Sequence, residues 1–192
     1  MKVRLLFRAT MAVVVALILA ACGYYNPYAA AKDGNPSQLY RTMWTNKTGE
    51  LGLENILYQA QSDWLRKSRL INSVDSAAEA DYQLSGAIER VNYPEVAFGR
   101  YQLATQGKVE LTVNFTLVDR KSGKPAWKRE ATRTQTFLMS QDPMVIQANR
   151  RAAFEKIADS FGQEIYLYMI NTILRPGVPP PVEDVTEDVI QD

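Results

Sequence analysis

The chain has 192 residues, with 22 Lys and Arg against 21 Asp and Glu, no histidine and a single cysteine. Lacking imidazole and a second thiol, it has no general base of the His kind, no internal disulfide and no Cys/His site for zinc or iron. Carboxylates alone could in principle serve glycoside hydrolysis or calcium, but no DxDxDG-like run and no marked pair of acids is present, so no enzyme activity, cofactor or metal is expected.

The first residues form a leader. Lys2, Arg4 and Arg8 precede an apolar run from Ala9 to Ala21, which is too short for a span of about 20 residues and has the layout of a secretory signal. The run ends in Leu19-Ala20-Ala21-Cys22. That tetrad resembles the lipobox of bacterial lipoproteins, whose cysteine is acylated on sulfur and amine after the leader is cut. An ordinary secreted protein cut nearby, or a retained anchor, are the alternatives. One acyl chain holds a protein weakly and two or more hold it durably, so attachment through Cys22 should last. Gly23 stands where an aspartate would favour inner-membrane retention in enterobacterial lipoproteins, which points to the outer membrane.

From Gly23 to Pro36 the sequence lacks apolar periodicity and contains Asn26-Pro27, Asp33-Gly34 and Asn35-Pro36, the composition of a tether. Gln38 to Thr45 reads as a first strand and Asn46-Lys47-Thr48-Gly49 as a turn. A helix follows, with Leu53, Ile56, Leu57, Ala60 and Trp64 at helical spacing and Glu54, Gln61 and Arg66 on other faces. Leu70 to Val74 is a second short strand. In the third, Tyr82, Leu84, Gly86 and Ile88 alternate with polar neighbours. The strongest alternation runs through Val109, Leu111, Val113, Phe115 and Leu117, as in a sheet with one packed and one wet face. Ser122-Gly123 marks a hairpin turn. Trp127 to Phe137 is a last strand with polar residues on both faces, expected at an edge or against a partner; Arg129 and Arg133 on it are expected to meet a partner's carboxylates or to be solvated. Asp142-Pro143 is a helix start, and Ile146, Ala153, Ile157, Phe161, Ile165 and Thr172 carry a stripe to Arg175-Pro176.

Beyond Arg175 come Pro176, Pro179 to Pro181 and five acids without a cation, a composition that does not fold by itself. Of the 22 cations three lie in the leader, and of the 21 acids five lie in this tail, leaving 19 against 16 in between. That surplus is too small for nucleic acid. The expected division is a signal peptide at 1–21, a tether at 22–36, a domain at 37–175 and an acidic Pro-rich tail at 176–192. The domain should be α+β, with two helices packed on one face of a mostly antiparallel or mixed sheet of four to five strands, an α/β sandwich.

The order of these pieces, with Cys22-Gly23-Tyr24, Asn46-Lys47-Thr48, Gly52-Leu53-Glu54, Arg69-Leu70, Leu111-Thr112-Val113-Asn114, Asp119-Arg120, Gly123 and Trp127, resembles the LPS-assembly lipoprotein family, LptE. The resemblance implies an outer-membrane lipoprotein that plugs and helps assemble the LptD β-barrel and binds lipopolysaccharide during its delivery to the outer leaflet. An accessory lipoprotein of another envelope complex, a CsgG-like secretion pore or a cell-wall synthase, is the alternative. Lipopolysaccharide presents phosphates and acyl chains, so its site should combine cations with apolar area. Arg90, Tyr93, Phe98, Arg100, Tyr101 and Lys108 cluster in that manner. Alignment with the family strand nominates Arg100, beside Gly99 where a bulkier residue is usual, and secondarily Lys108; cations that merely solvate a hairpin are the competing account.

Overall fold

The structure, a computed structural model, describes residues 35–94 and 106–175. The leader, most of the tether including Cys22, residues 95–105 with Phe98, Arg100 and Tyr101, and the tail after Arg175 lie outside the described residues.

The elements follow in the order β1 (Ser37–Arg41), β2 (Thr45–Asn46), α1 (Leu53–Leu65), β3 (Ile71–Val74), a 3₁₀ turn at Ala77–Glu79, β4 (Tyr82–Asn92), β5 (Gln106–Asp119), β6 (Pro125–Leu138) and α2 (Pro143–Leu174). They build one mixed sheet in the order β3-β1-β4-β5-β6, with β2 also paired to β4. The parallel half is β3-β1-β4 and the antiparallel half is the meander β4-β5-β6. The sheet has six strands where four to five were expected, because the first expected strand is two.

The break between β1 and β2 has a packing cause. Arg41 pairs with Leu84 and Thr45 with Ala87, so four residues on one strand advance against three on the other. The extra residue turns Trp44 into the core, where it is 4% exposed. Its ring lies where a side chain of Gly86 would stand, 2.5 Å from an added Cβ. Only a glycine admits an indole that close.

The odd residues Val109 to Leu117 of β5 are all buried, with Leu84 and Ile88 of β4 beside them. Both helices cover this face. Asp142 caps α2 by accepting a hydrogen bond from Met144 N at 2.8 Å, with Pro143 at the first position. Phe154, Ile157, Phe161, Ile165 and Met169 then fill the space above the sheet, each full burial contributing about 1.5–3 kcal/mol. Phe115, Trp127 and Tyr168 form an edge-to-face series with centroids 5.6 and 5.9 Å apart. The indole of Trp127 donates to Thr172 Oγ1 at 2.9 Å, and that hydroxyl donates to the Tyr168 carbonyl at 2.8 Å. The stripe does not begin where Ile146 suggested: Met144 and Val145 are exposed and the helix is buried only from Ala153 onward.

In α1 the buried row is Leu53, Leu57, Gln61 and Leu65, so the register expected from Ile56, Ala60 and Trp64 is corrected by one row and Gln61 is inside. Ile56, Ala60 and Trp64 turn toward α2 instead. Gly162 of α2 makes the close approach, since a Cβ there would lie 2.8 Å from Trp64 and 3.0 Å from the Ala60 carbonyl. The Trp64 indole donates to Asp159 at 2.7 Å. Ahead of α1, Asn46 Oδ1 accepts from Thr48 N and Thr48 Oγ1 at 3.0 and 2.8 Å, while its amide donates to the Glu50 carbonyl and Glu54 Oε2, both at 2.8 Å. This Asx turn, followed by Gly52 at φ 85°, is what the Asn-Lys-Thr-Gly stretch does. The Glu54 carboxyl is held below its usual range, first by its own backbone N–H and then by the Asn46 amide.

Candidate functional site

The register assigns every residue of the meander to a face. Lys108 pairs with Thr136, Glu110 with Thr134, Thr112 with Thr132, Asn114 with Glu130 and Thr116 with Lys128. These even positions point away from the helices, and among the described residues no helix covers them. On β4 the register shifts between Ile88 and Arg90, an irregularity of the bulge kind. It puts Arg90 opposite Thr112 and Asn92 opposite Glu110, on this same face.

Several polar groups on this face are committed to one another. Thr112 and Thr132 share a hydrogen bond at 2.9 Å, the Asn92 amide donates to Glu110 at 2.8 Å, and Lys47 Nζ meets Glu89 at 2.7 Å while Asn114 also donates to Glu89. Arg90 and Lys108 are different. Neither has a carboxylate partner among the described residues, Arg90 is exposed and Lys108 half-buried. By strand rise and spacing their Cα atoms are about 14 Å apart. These two cations share the face with threonines, amides, the acids Glu110 and Glu130 and, at its far end, Lys128, a further cation without an ion pair among the described residues. They can receive phosphate groups without first breaking an ion pair.

Tyr93 does not belong with them. Val91 faces the helices opposite Leu111, and Tyr93 follows it to that side, where its hydroxyl donates to Glu50 and the Arg150 guanidinium lies 5.5 Å from its ring centre. Burial, then the Glu50 carboxylate, push its phenol far above the usual value. The sequence cluster is therefore split by the fold: Arg90 and Lys108 share the open face, Tyr93 ties the end of β4 to α2, and Arg100 lies outside the described residues.

Arg129 and Arg133 are corrected most. Both are on odd positions of β6, facing α2, and both reach Glu164. Arg129 Nε lies 2.9 Å from one carboxylate oxygen and Arg133 Nη2 2.8 Å from the other, with the three side chains 17%, 21% and 10% exposed. Their guanidiniums also lie over the Tyr168 and Phe161 rings at 5.1 and 5.7 Å. They clamp the edge strand to α2; inward-turned charges of this kind also discourage edge pairing. Glu164 escaped the sequence reading, although its place on α2 between Phe161 and Ile165, on a buried stripe, is the signal that could have found it.

On the outer side, a groove of about 610 Å³ runs between α1 and α2, lined by Ile56, Ala60, Asp63, Arg151, Glu155 and Asp159 among others. Three acids against one cation give it the wrong sign for an anionic ligand. Among the described residues no group of acids is placed to hold a metal ion.

No curated protein matches this sequence. Among solved structures, the chain is similar to rare lipoprotein B from Shewanella oneidensis (12% identity over 70% of this chain and 95% of that one, TM-score 0.49). It is also similar to a minor lipoprotein from Acinetobacter baumannii (12%, 71% and 92%, TM-score 0.46) and to the PelC dodecamer from Paraburkholderia phytofirmans (20%, 66% and 89%, TM-score 0.42). These scores keep all three as likenesses only. The family model described as LptE, Lipopolysaccharide-assembly, matches residues 37–169, from the first strand to the buried end of α2, and the chain belongs to that family.

Proposed function

We propose that this chain is an outer-membrane lipoprotein, anchored on the periplasmic side through acylated Cys22, that plugs and helps assemble the LptD β-barrel and binds lipopolysaccharide on its way to the outer leaflet. Membership of the lipopolysaccharide-assembly family carries the reading. The role is that of a non-enzymatic partner, and no cofactor, metal or nucleic acid enters it. The division into signal peptide, tether, domain and tail is part of the same proposal.

For lipopolysaccharide we favour the helix-free sheet face, because among the described residues Lys108 and Arg90 stand there without ion pairs. Arg100, eight residues before Lys108, belongs to the same proposed site. Lys108→Glu is expected to weaken binding of purified lipopolysaccharide at least fivefold while the melting temperature stays within a few degrees; unchanged binding removes Lys108 from the site. The partner is tested by pull-down of the tagged lipoprotein from its native membrane in mild detergent. One large β-barrel at equal stoichiometry supports the reading, whereas homo-oligomeric rings or a peptidoglycan synthase transfer it to the alternative. Intact mass of the mature protein tests the anchor, with acyl chains on Cys22 as the expected result.

A further inference from the structure

One end of the sheet collects cations that no carboxylate claims. Ser37 N donates to the Leu70 carbonyl at 2.8 Å, Asp81 N to the Gln38 carbonyl at 2.9 Å and Arg120 N to the Asp81 carbonyl at 2.9 Å. These bonds set the starts of β3, β1 and β4 and the β5–β6 hairpin side by side, about 19 Å across at strand spacing. Lys67 and Arg69 stand just before β3, and Arg120 and Lys124 lie in the hairpin. Helix α2 ends here too. The Trp127–Thr172 hydrogen bond holds its last turn against the first residues of β6, and Arg175 caps it.

All five of these cations are exposed, and among the described residues none has an ion pair. Lys67 lies 3.7 Å over the Trp64 ring and Arg120 reaches only the Gln83 amide oxygen at 3.3 Å. Three nearby acids are spent elsewhere: Asp63 on Arg66, Asp81 on Lys121 at 3.0 Å and on Gln38 N at 3.0 Å, and Asp119 on Lys121 N and Ser122 within its own turn. Glu79, two residues before Asp81, is exposed and pairs with none of the five cations.

From Arg175 the chain runs directly into a segment with Glu183, Asp184, Glu187, Asp188 and Asp192 and no cation. We propose that this acidic segment seats on the basic end of its own domain, its carboxylates meeting Lys67, Arg69, Arg120, Lys124 and Arg175. Pro176 and Pro179 to Pro181 favour an extended spacer, and the seven residues from Pro176 to Val182 reach about 22 Å at 3.1 Å per residue, enough to bring the acids over the whole end. Joined in one chain, the two surfaces face each other at an effective concentration in the millimolar range. Exposed pairs are individually weak and screened by salt, so the contact is reversible, and an anionic partner arriving at this end must displace it.

The test is zero-length carbodiimide cross-linking of the full mature chain in non-ionic detergent, with cross-linked peptides identified by mass spectrometry. The Asp81–Lys121 and Glu89–Lys47 pairs serve as internal yardsticks. A seated segment links residues 183–192 to Lys67 and Lys124 at least fivefold more than to Lys156, and the yield falls severalfold between 50 and 500 mM salt. A segment without a seat reaches Lys156 as well, about 28 Å back along α2, so equal yields overturn the proposal. Links found only between isotopically distinct copies, or lysines free of the segment and shielded from acetylation only on addition of phosphatidylglycerol vesicles, overturn it in favour of a second copy or a bilayer.

Discussion

The two faces of the meander carry the same kinds of residue and use them in opposite ways. On the helix side, Arg129 and Arg133 are held by a single carboxylate, Glu164. On the other side, one residue out of phase, Arg90 and Lys108 have no ion pair among the described residues, although Glu110 shares their face. What separates a structural cation from one free to meet a ligand is thus the parity of its strand position and the presence of one complementary residue on a helix far away in sequence. Residue type carries none of that information.

Removing the helix-side acid should have the largest effect. Glu164→Ala leaves two largely buried guanidiniums without a counter-charge, and is expected to cost about 3–5 kcal/mol in urea unfolding; a loss below about 1 kcal/mol would mean that the cluster is solvated and the two faces do not differ. Gly86→Ala comes next. The added Cβ collides with the Trp44 ring, an overpacking expected to cost about 1–3 kcal/mol, while Gly49→Ala, with nothing within 4 Å, serves as its control. On the opposite face, Thr112→Val removes the hydrogen bond to Thr132 and is expected to cost about 1 kcal/mol. The smallest change is Lys108→Ala, which should stay within about 0.5 kcal/mol of the parent because no described group depends on it. Thermal melts of Glu164→Ala and Lys108→Ala side by side are the sharpest single comparison; equal shifts would erase it.

Much of the fold is legible in local pattern. The alternation of Val109 to Leu117, the Asp142-Pro143 start and the Ser122-Gly123 turn are each fixed by neighbours within a few residues, and each is found as read. Family membership follows the same order of motifs. What the sequence hides is set by partners far along the chain. The split of the first strand depends on Gly86, more than forty residues away, making room for Trp44. The row of α1 that is buried depends on the sheet beneath it and on Gly162 beside it, so Gln61 goes in and Trp64 turns aside. Counting polar residues on β6 correctly suggests an edge strand, but only the approach of α2 shows which arginines that edge commits. Of the proposed site, Lys108 and Arg90 share a surface that their spacing could not reveal, since the shift between Ile88 and Arg90 alters the phase.

The position of β1 bears on how the domain assembles. This strand lies between β3 and β4, pairing Leu39 with Ser73 on one side and with Tyr82 on the other, whereas the meander joins consecutive strands. Contacts between distant residues form later because closing their loops costs entropy. We therefore expect β4, β5 and β6 to acquire protection first in pulsed hydrogen exchange during refolding, with the Leu39 and Tyr40 amides last; early protection of β1 would refute that order. If the proposed anchor at Cys22 holds the chain to a membrane, the strand nearest the attachment would be the last to enter the sheet, and the rest of the domain could take shape before the constraint of the surface reaches it.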